Sequence, residues 1–391
     1  MPHYNGDDEV PVPQPLHRQI GQLAMIGFEG HALPPEVVSL AREFDLGGVT
    51  LFARTVGTPE QVSDIAWRAR QLSRDLPLWV GVDQEGGRVA RLKAPLTEWP
   101  PMMALGRADS EPLAERFATA LAREIAALGF SIDFVPVLDV LTNPSNPAIG
   151  NRALGEDPER VARLGSAIIR SLQGVGVAAC GKHFPGHGDT SVDSHLDLPI
   201  VEHPPDRFRG VDFVPFRAAI EAGVTGIMTG HLLVPAFDEE RPATLSRAIV
   251  QGLLRDELGF DGLVFSDDMD MKAISARIGP GAAAVAAIAA GCDVLLLCGT
   301  DVAAHASVLE ALARAVEREE LPRKRVEEAL QRQRVAKGRF SSRKPSADPI
   351  TGEITIAPLH SGWRPLSAAA LARILGRDEH QAIADEMRRY V

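Results

Sequence analysis

Eight short apolar runs, rich in β-branched residues, recur along the chain, and this rhythm constrains the fold more than any other feature. They are 23–29 (LAMIGFE), 46–52 (LGGVTLF), 78–84 (LWVGVDQ), 132–140 (IDFVPVLDV), 177–184 (VAACGKHF), 224–231 (VTGIMTGH), 262–268 (GLVFSDD) and 293–299 (DVLLLCG). Most are continuously apolar rather than alternating, as expected of strands covered on both faces. Helical patterns fill the intervals at 59–74, 111–129 and 157–174, and Gly129 and Gly174 stand where helix C-caps belong. Eight strand-then-helix repeats predict an α/β chain folded as a (β/α)8 TIM-type barrel. A doubly wound open sheet would carry a glycine-rich turn after its first strand, whereas the glycine pair of EGGRVARL follows the third.

Such a barrel uses roughly 250 residues, and the chain has 391. The predicted organisation is a polar segment at 1–16, the catalytic barrel at 17–340, and a linker with a short C-terminal appendage at 341–391. The linker signal is SSRKPSADP at 341–349; beyond it come one strand-like run, GEITIAPL, and helical patterns near 366–376 and 379–389. That is too little chain to enclose its own core, so it is expected to dock on the barrel or on a neighbouring subunit.

The formal net charge of −11 argues against a general nucleic-acid or anionic-membrane binder, which needs a positive surface. No run approaches the length that spans a bilayer, and the amino terminus has neither the basic nor the apolar stretch of a secretory signal. Cys180, Cys292 and Cys298 sit in apolar surroundings and read as buried thiols of a reducing compartment, so the expected location is cytoplasmic.

In a barrel of this class the chemistry sits at the carboxyl ends of the strands. Polar residues gather there: Asp83 at the end of the third run, Asp139 of the fourth, Lys182 and His183 of the fifth, His231 of the sixth, and Asp267 with Asp268 of the seventh. Each has a structural alternative as a helix cap, an ion-pair partner or a hydrogen-bonded wall residue. The segment KHFPGHGDTSVDSH (182–195) then adds Asp193 and His195, two residues apart on a loop. At that spacing a carboxylate can fix the tautomer of an imidazole and raise its proton affinity. A histidine so held can give a proton to a leaving group and take one from water near neutral pH. Gly186 and Gly188 are expected to let the loop swing and approach a ligand closely.

These residues also carry a family resemblance. KHFPGHGDTSVDSH, GVDQEGGRVARL (81–92) and GFDGLVFSDDMDM (259–271) resemble the signature regions of the family 3 glycoside hydrolases over residues 17–340. Within that family they look most like the bacterial β-N-acetylglucosaminidases of peptidoglycan recycling. The resemblance implies a retaining glycosidase with Asp267 as nucleophile, His195 as acid/base and Asp193 as its partner. It further implies that Asp83, Arg91, Arg152, Lys182 and His183 hold the sugar, with no metal and no cofactor. The implied partner is a small carbohydrate, N-acetylglucosamine at the end of a muropeptide or oligosaccharide. The stretch GNRALGED is closer to the broad family pattern than to the Arg-Ser form of the recycling enzymes, which leaves the aglycone open. Three other readings stay open at this point: a β-glucosidase of the same family, a metal-dependent barrel hydrolase using His183, His187 and His195, and a sugar-binding barrel without turnover.

Overall fold

The computed structural model describes residues 15–194, 196–341, 346–347, 354–355 and 362–391. Eight parallel strands close into a barrel: β1 Ala24–Ile26, β2 Gly48–Leu51, β3 Trp79–Val82, β4 Ile132–Asp133, β5 Ala178–Phe184, β6 Gly226–Thr229, β7 Leu263–Asp268 and β8 Val294–Leu297. Each pairs with its sequence neighbours, and β8 closes on β1 through Ala24 opposite Leu295. All eight expected runs are strands, and the (β/α)8 fold class is the observed one.

The core is two concentric layers. Inside the barrel, Met25, Trp79, Phe134, Met228 and Phe265 fill the lumen, with Phe134 and Phe265 edge to face at 5.9 Å. Outside it, strand side chains such as Val49, Val80 and Val264 pack on the helices. Polar runs between strands become helices where a cap starts them and an αL residue stops them. Asp157 accepts from the backbone N–H of Glu159 and Arg160, with Pro158 at the first helical position, and helix Pro158–Val175 ends at Gly176 with φ +113°. The stop is therefore Gly176, and Gly174, expected as the cap, lies inside the last turn. Gly129 does close its helix, at φ +94° after Glu111–Ala127.

β4 is far shorter than the run that announced it. Pro136 has no N–H to give a neighbour, and past it the chain keeps to β5 mainly through Leu138 N donating to Lys182 O at 2.6 Å.

The last helix of the barrel, Arg323–Ser341, lies across the amino-terminal mouth. Gln333 accepts from Trp79 Nε1 at 3.1 Å, and Lys337 Nζ donates to Gln22 Oε1 at 2.9 Å and to Gly47 O at 3.0 Å. All these barrel partners stand at or just before strand starts, so that end is plugged. The C-terminal segment packs on the same chain: Trp363 is buried against Arg70 and Gly129, and helix Asp378–Arg388 lies on Glu111–Ala127. Residues 1–14 and most of 342–361, including GEITIAPL apart from Ile354–Thr355, lie outside the described residues. Among the described residues no helix is long and apolar enough to cross a membrane.

Candidate active site

At the carboxyl end the strands open onto a hollow of about 770 Å³, counted to its mouth. Asp83, Arg91, Arg152, Lys182, His183 and Asp267 all line it. The first four form one charged wall around Glu85. Lys182 Nζ bridges Asp83 Oδ1 at 2.8 Å and Glu85 Oε1 at 2.6 Å. Glu85 is gripped in turn by Arg152 through two parallel bonds, Nε at 2.9 Å and Nη2 at 2.8 Å. Arg91 Nη2 approaches Asp83 Oδ2 at 3.5 Å. Burial pushes the Glu85 carboxyl upward, but the charges of Arg152 and Lys182 outweigh it and hold it well below the usual carboxylate range. Lys182 is buried too, yet Asp83 and Glu85 raise its affinity for the proton, so Lys182 and Glu85 hold each other charged.

Beneath that wall Asp133 is fully buried; desolvation pushes it up to about 8, and its Oδ2 has no partner among the described residues. Burial thus favours its protonated form and limits the negative charge gathered beside Asp83 and Glu85. His183 Nδ1 meets Asp139 Oδ2 at 2.7 Å, and the same carboxylate accepts from the backbone N–H of His187 at 2.7 Å. Burial raises the Asp139 carboxyl, and His183 more than reverses this, leaving it low. Asp139 is thus the residue that aims His183 into the hollow.

Asp267 stands on the facing side at the end of β7, its Oδ1 accepting from Asp268 N at 2.8 Å. Its neighbour Asp268 borders the hollow as well, but its Oδ1 is engaged by backbone: it accepts from Asp270 N and Cys298 N, both at 3.1 Å, tying β7 to β8, and burial pushes its carboxyl up to about 6. Of the pair, then, Asp268 is the one that ties the two strand ends together. His231 is a wall residue, bonded to Thr244 Oγ1 at 2.8 Å and Asp268 O at 3.0 Å.

The loop after β5 roofs the hollow. His187 is held by Thr190 Oγ1 at 2.6 Å and Ser194 Oγ at 3.2 Å, and burial lowers its proton affinity to about 4. Asp189 ties the loop down through Thr142 at 2.9 Å and His203 at 2.7 Å. Ser194 lines the hollow, and its carbonyl accepts from Ala273 N at 3.3 Å, just past the end of β7. Asp193 is the next residue, half-buried, while His195 lies outside the described residues. The loop glycines permit close packing. A Cβ on Gly188 would lie 1.7 Å from Val140 O, and one on Gly186 2.8 Å from Asp212, so neither position has room for a side chain.

With that geometry in hand, comparison with known proteins is direct. The profile of the glycosyl hydrolase family 3 N-terminal domain matches residues 15–336. The chain belongs to glycoside hydrolase family 3. A beta-hexosaminidase from Thiobacillus denitrificans is 41% identical over 259 residues, covering 65% of this chain and 71% of that protein. Beta-hexosaminidase A of Pseudoalteromonas piscicida is 36% identical over 322 residues, 73% of this chain; the chain spans only 54% of that relative's length. Among solved structures, a family 3 β-N-acetylglucosaminidase from Paenibacillus sp. superposes with a TM-score of 0.84 at 36% identity, over 96% of this chain and 68% of the other. NagZ from Neisseria gonorrhoeae, in complex with N-trifluoroacetyl-D-glucosamine, gives a TM-score of 0.73 at 27% identity, over 94% and 97% of the two chains.

The sequence reading missed one structural partner of the charged wall, Glu85, and although it placed Asp139 at a strand end it did not pair it with His183. Glu85 sits within the quoted motif, in QEGG, but nothing local says that it is buried or that it meets Lys182 and Arg152. Phe52 was missed as well; it lines the hollow with Arg54 stacked at 4.4 Å and Arg91 at 5.8 Å from its centroid. The metal-binding alternative finds little to build on: His183 and His187 already bond Asp139, Thr190 and Ser194. Among the described residues no group of three or more His, Cys, Asp or Glu is placed to hold an ion.

Proposed function

We propose that this family 3 glycoside hydrolase is a retaining, exo-acting β-N-acetylglucosaminidase that works through a covalent glycosyl-enzyme intermediate. The observation that carries the reading is the opposition across the hollow: Asp267 on a strand end faces it, while Ser194, between Asp193 and His195 in sequence, lines the same space. A retaining glycosidase needs a carboxylate below the anomeric carbon and a proton donor at the leaving oxygen. Asp267 would attack the anomeric carbon as His195, oriented by Asp193, protonates the departing oxygen. His195 would then take a proton from the water that releases the sugar, and each such transfer contributes roughly 10²–10⁴-fold.

The charged wall would hold the ring. Asp83, pinned by Lys182, offers carboxylate oxygens to sugar hydroxyls, while Arg91, Arg152 and His183 offer donors to hydroxyls and the acetamide oxygen. The names of the relatives, beta-hexosaminidase and β-N-acetylglucosaminidase, favour the acetamido sugar. The finer reading is that the substrate is a muropeptide processed in the cytoplasm, which the motif resemblance and three buried free thiols favour.

The test compares kcat/KM on an aryl β-N-acetylglucosaminide and an aryl β-glucoside. A preference of roughly 10²-fold or more for the acetamido sugar is expected, because a donor built to meet the acetamide is left unpaired without it. Equal rates, or faster cleavage of the glucoside, would reject the assignment. Release of N-acetylglucosamine from purified anhydromuropeptides tests the finer reading, and turnover of chitin fragments alone would reject it.

A further inference from the structure

Tracing what holds the hairpin at 84–91 leads out of the hollow and into the C-terminal segment. Its Gly86–Gly87 turn leans on residues 97–101. Gly87 N donates to Trp99 O at 2.8 Å, and a Cβ on Gly86 would stand 2.7 Å from Pro100 O. Trp99 is wedged edge-on against Phe117 at 5.0 Å. The stretch is fixed from behind by one buried carboxylate, Glu124, which accepts from Thr97 N at 2.9 Å and Thr97 Oγ1 at 2.8 Å. Its other two contacts come from the far end of the chain: Gly376 N at 2.9 Å and His380 Nδ1 at 2.8 Å. Because a carboxylate only accepts, Nδ1 is the ring nitrogen that carries the proton. Arg388 Nη2 adds a bond to Glu98 O at 2.7 Å. Gly376, at φ +60°, passes Pro95 so closely that a Cβ would meet Pro95 O at 2.2 Å.

A carboxylate shut away from water needs its lone pairs engaged, and two of the four donors to Glu124 belong to the C-terminal segment. Without them Glu124 would rearrange or draw in water, and Thr97 would move with it. Trp99 O would then shift under Gly87, one residue beyond Gly86 and two beyond Glu85. Glu85 in turn anchors Lys182 and Arg152.

We propose that residues 362–391 brace the sugar-recognition hairpin, and that His380 and Arg388 are positioning residues for substrate binding. The contact path runs from His380 through Glu124 and Thr97 to Trp99, then to Gly87 and Glu85. The proposal rests on the reading of the hollow as a sugar site, and its test separates the two.

The full-length variants His380→Ala and Arg388→Ala are assayed where circular dichroism shows them folded. His380→Ala is expected to raise both KM and the inhibition constant of N-acetylglucosamine by roughly three- to tenfold, with kcat within about twofold, since displaced binding groups cost affinity first. His380→Asn, whose amide can donate from nearly the position of Nδ1, restores most of the loss, which general destabilisation would not. Arg388 is exposed, so Arg388→Ala folds and gives a smaller shift of the same sign, whatever becomes of His380→Ala. Amide exchange at Gly87, which requires no substrate, quickens in both variants. Unchanged KM and inhibition constant, or unchanged exchange at Gly87, in the folded variants overturns the brace. A parent protein that neither binds N-acetylglucosamine nor cleaves its aryl glycoside overturns the sugar-site reading instead, and the exchange measurement still decides on the brace.

Discussion

At the amino end of the barrel the buried Asp293 accepts from Arg255 at 2.6 Å, Arg325 at 2.5 Å and Arg332 at 3.1 Å, and Lys337 lies fully buried further along the same closing helix, on Gln22 and Gly47. At the carboxyl end Glu85 and Asp83 meet Lys182, Arg152 and Arg91 at comparable distances. Judged by charge and burial alone, the two clusters look alike. They differ in where the carboxylates sit: Asp293 is fully buried and only its partners Arg325 and Arg332 reach a surface cleft, whereas Asp83 itself lines an open hollow with Asp267 across from it. Buried charge by itself therefore marks no function in this molecule. Carboxylates facing one another across a space that a ligand can enter do.

Substitutions at the two ends should separate accordingly, and the largest effect belongs to the open one. Asp267→Asn is expected to cut turnover of an aryl β-N-acetylglucosaminide by roughly 10³-fold or more with little change in thermal unfolding, because the residue reacts rather than packs. Retained turnover would remove the nucleophile assignment. At the closed end, Asp293→Asn strips the one carboxylate that three guanidiniums share and is expected to cost about 3–5 kcal/mol in urea unfolding. KM of the folded enzyme should not change; a raised KM would mean that the two ends are coupled after all.

The pH responses sharpen the contrast further. Burial lowers Lys337 to about 7, whereas in the unfolded chain a lysine titrates near 10.4. The folded state holds fewer protons in that interval, so the contribution of Lys337 to stability is complete above the unfolded value and is lost as pH falls toward 7. The stability of Lys337→Met relative to the parent should thus be greatest at and below pH 7 and decline as pH rises to 10, with activity following neither. His187 gives the smallest effect, at the open end. Its proton affinity drops to about 4 on burial, against roughly 6.5 unfolded. Its contribution is complete above pH 6.5 and disappears as pH falls toward 4. Over that fall the parent should lose about 2–3 kcal/mol relative to His187→Asn. A flat difference would place water against the ring and loosen the picture of a sealed roof.

How much of this was legible in the sequence depends on the range of the interaction. The strands were readable because continuous apolar runs report burial on both faces, and the site was readable as far as polar residues interrupt those runs at their ends. β4 was overestimated because the run continues through Pro136, which keeps the composition of a strand without the backbone donor. The helix stop was misplaced from Gly176 to Gly174 because both are glycines and only the backbone angle tells them apart. Glu85 was overlooked because its burial comes from Lys182 and Arg152, far along the chain; Asp139 was placed at its strand end, but its pairing with His183 depends on a residue 44 positions away.

By itself, then, the sequence determined the count and order of strands, the class of fold, the family, and the short set of residues standing where loops begin. All of these follow from local periodicity and from motifs a few residues long. Only the tertiary structure decided that Asp268 ties β7 to β8, which of two charge clusters sets a carboxylate on an open hollow, and that Gly376 and His380 reach Glu124. Those outcomes depend on barrel closure and on hydrogen bonds between distant segments, whose 2.6–2.9 Å separations no local pattern encodes.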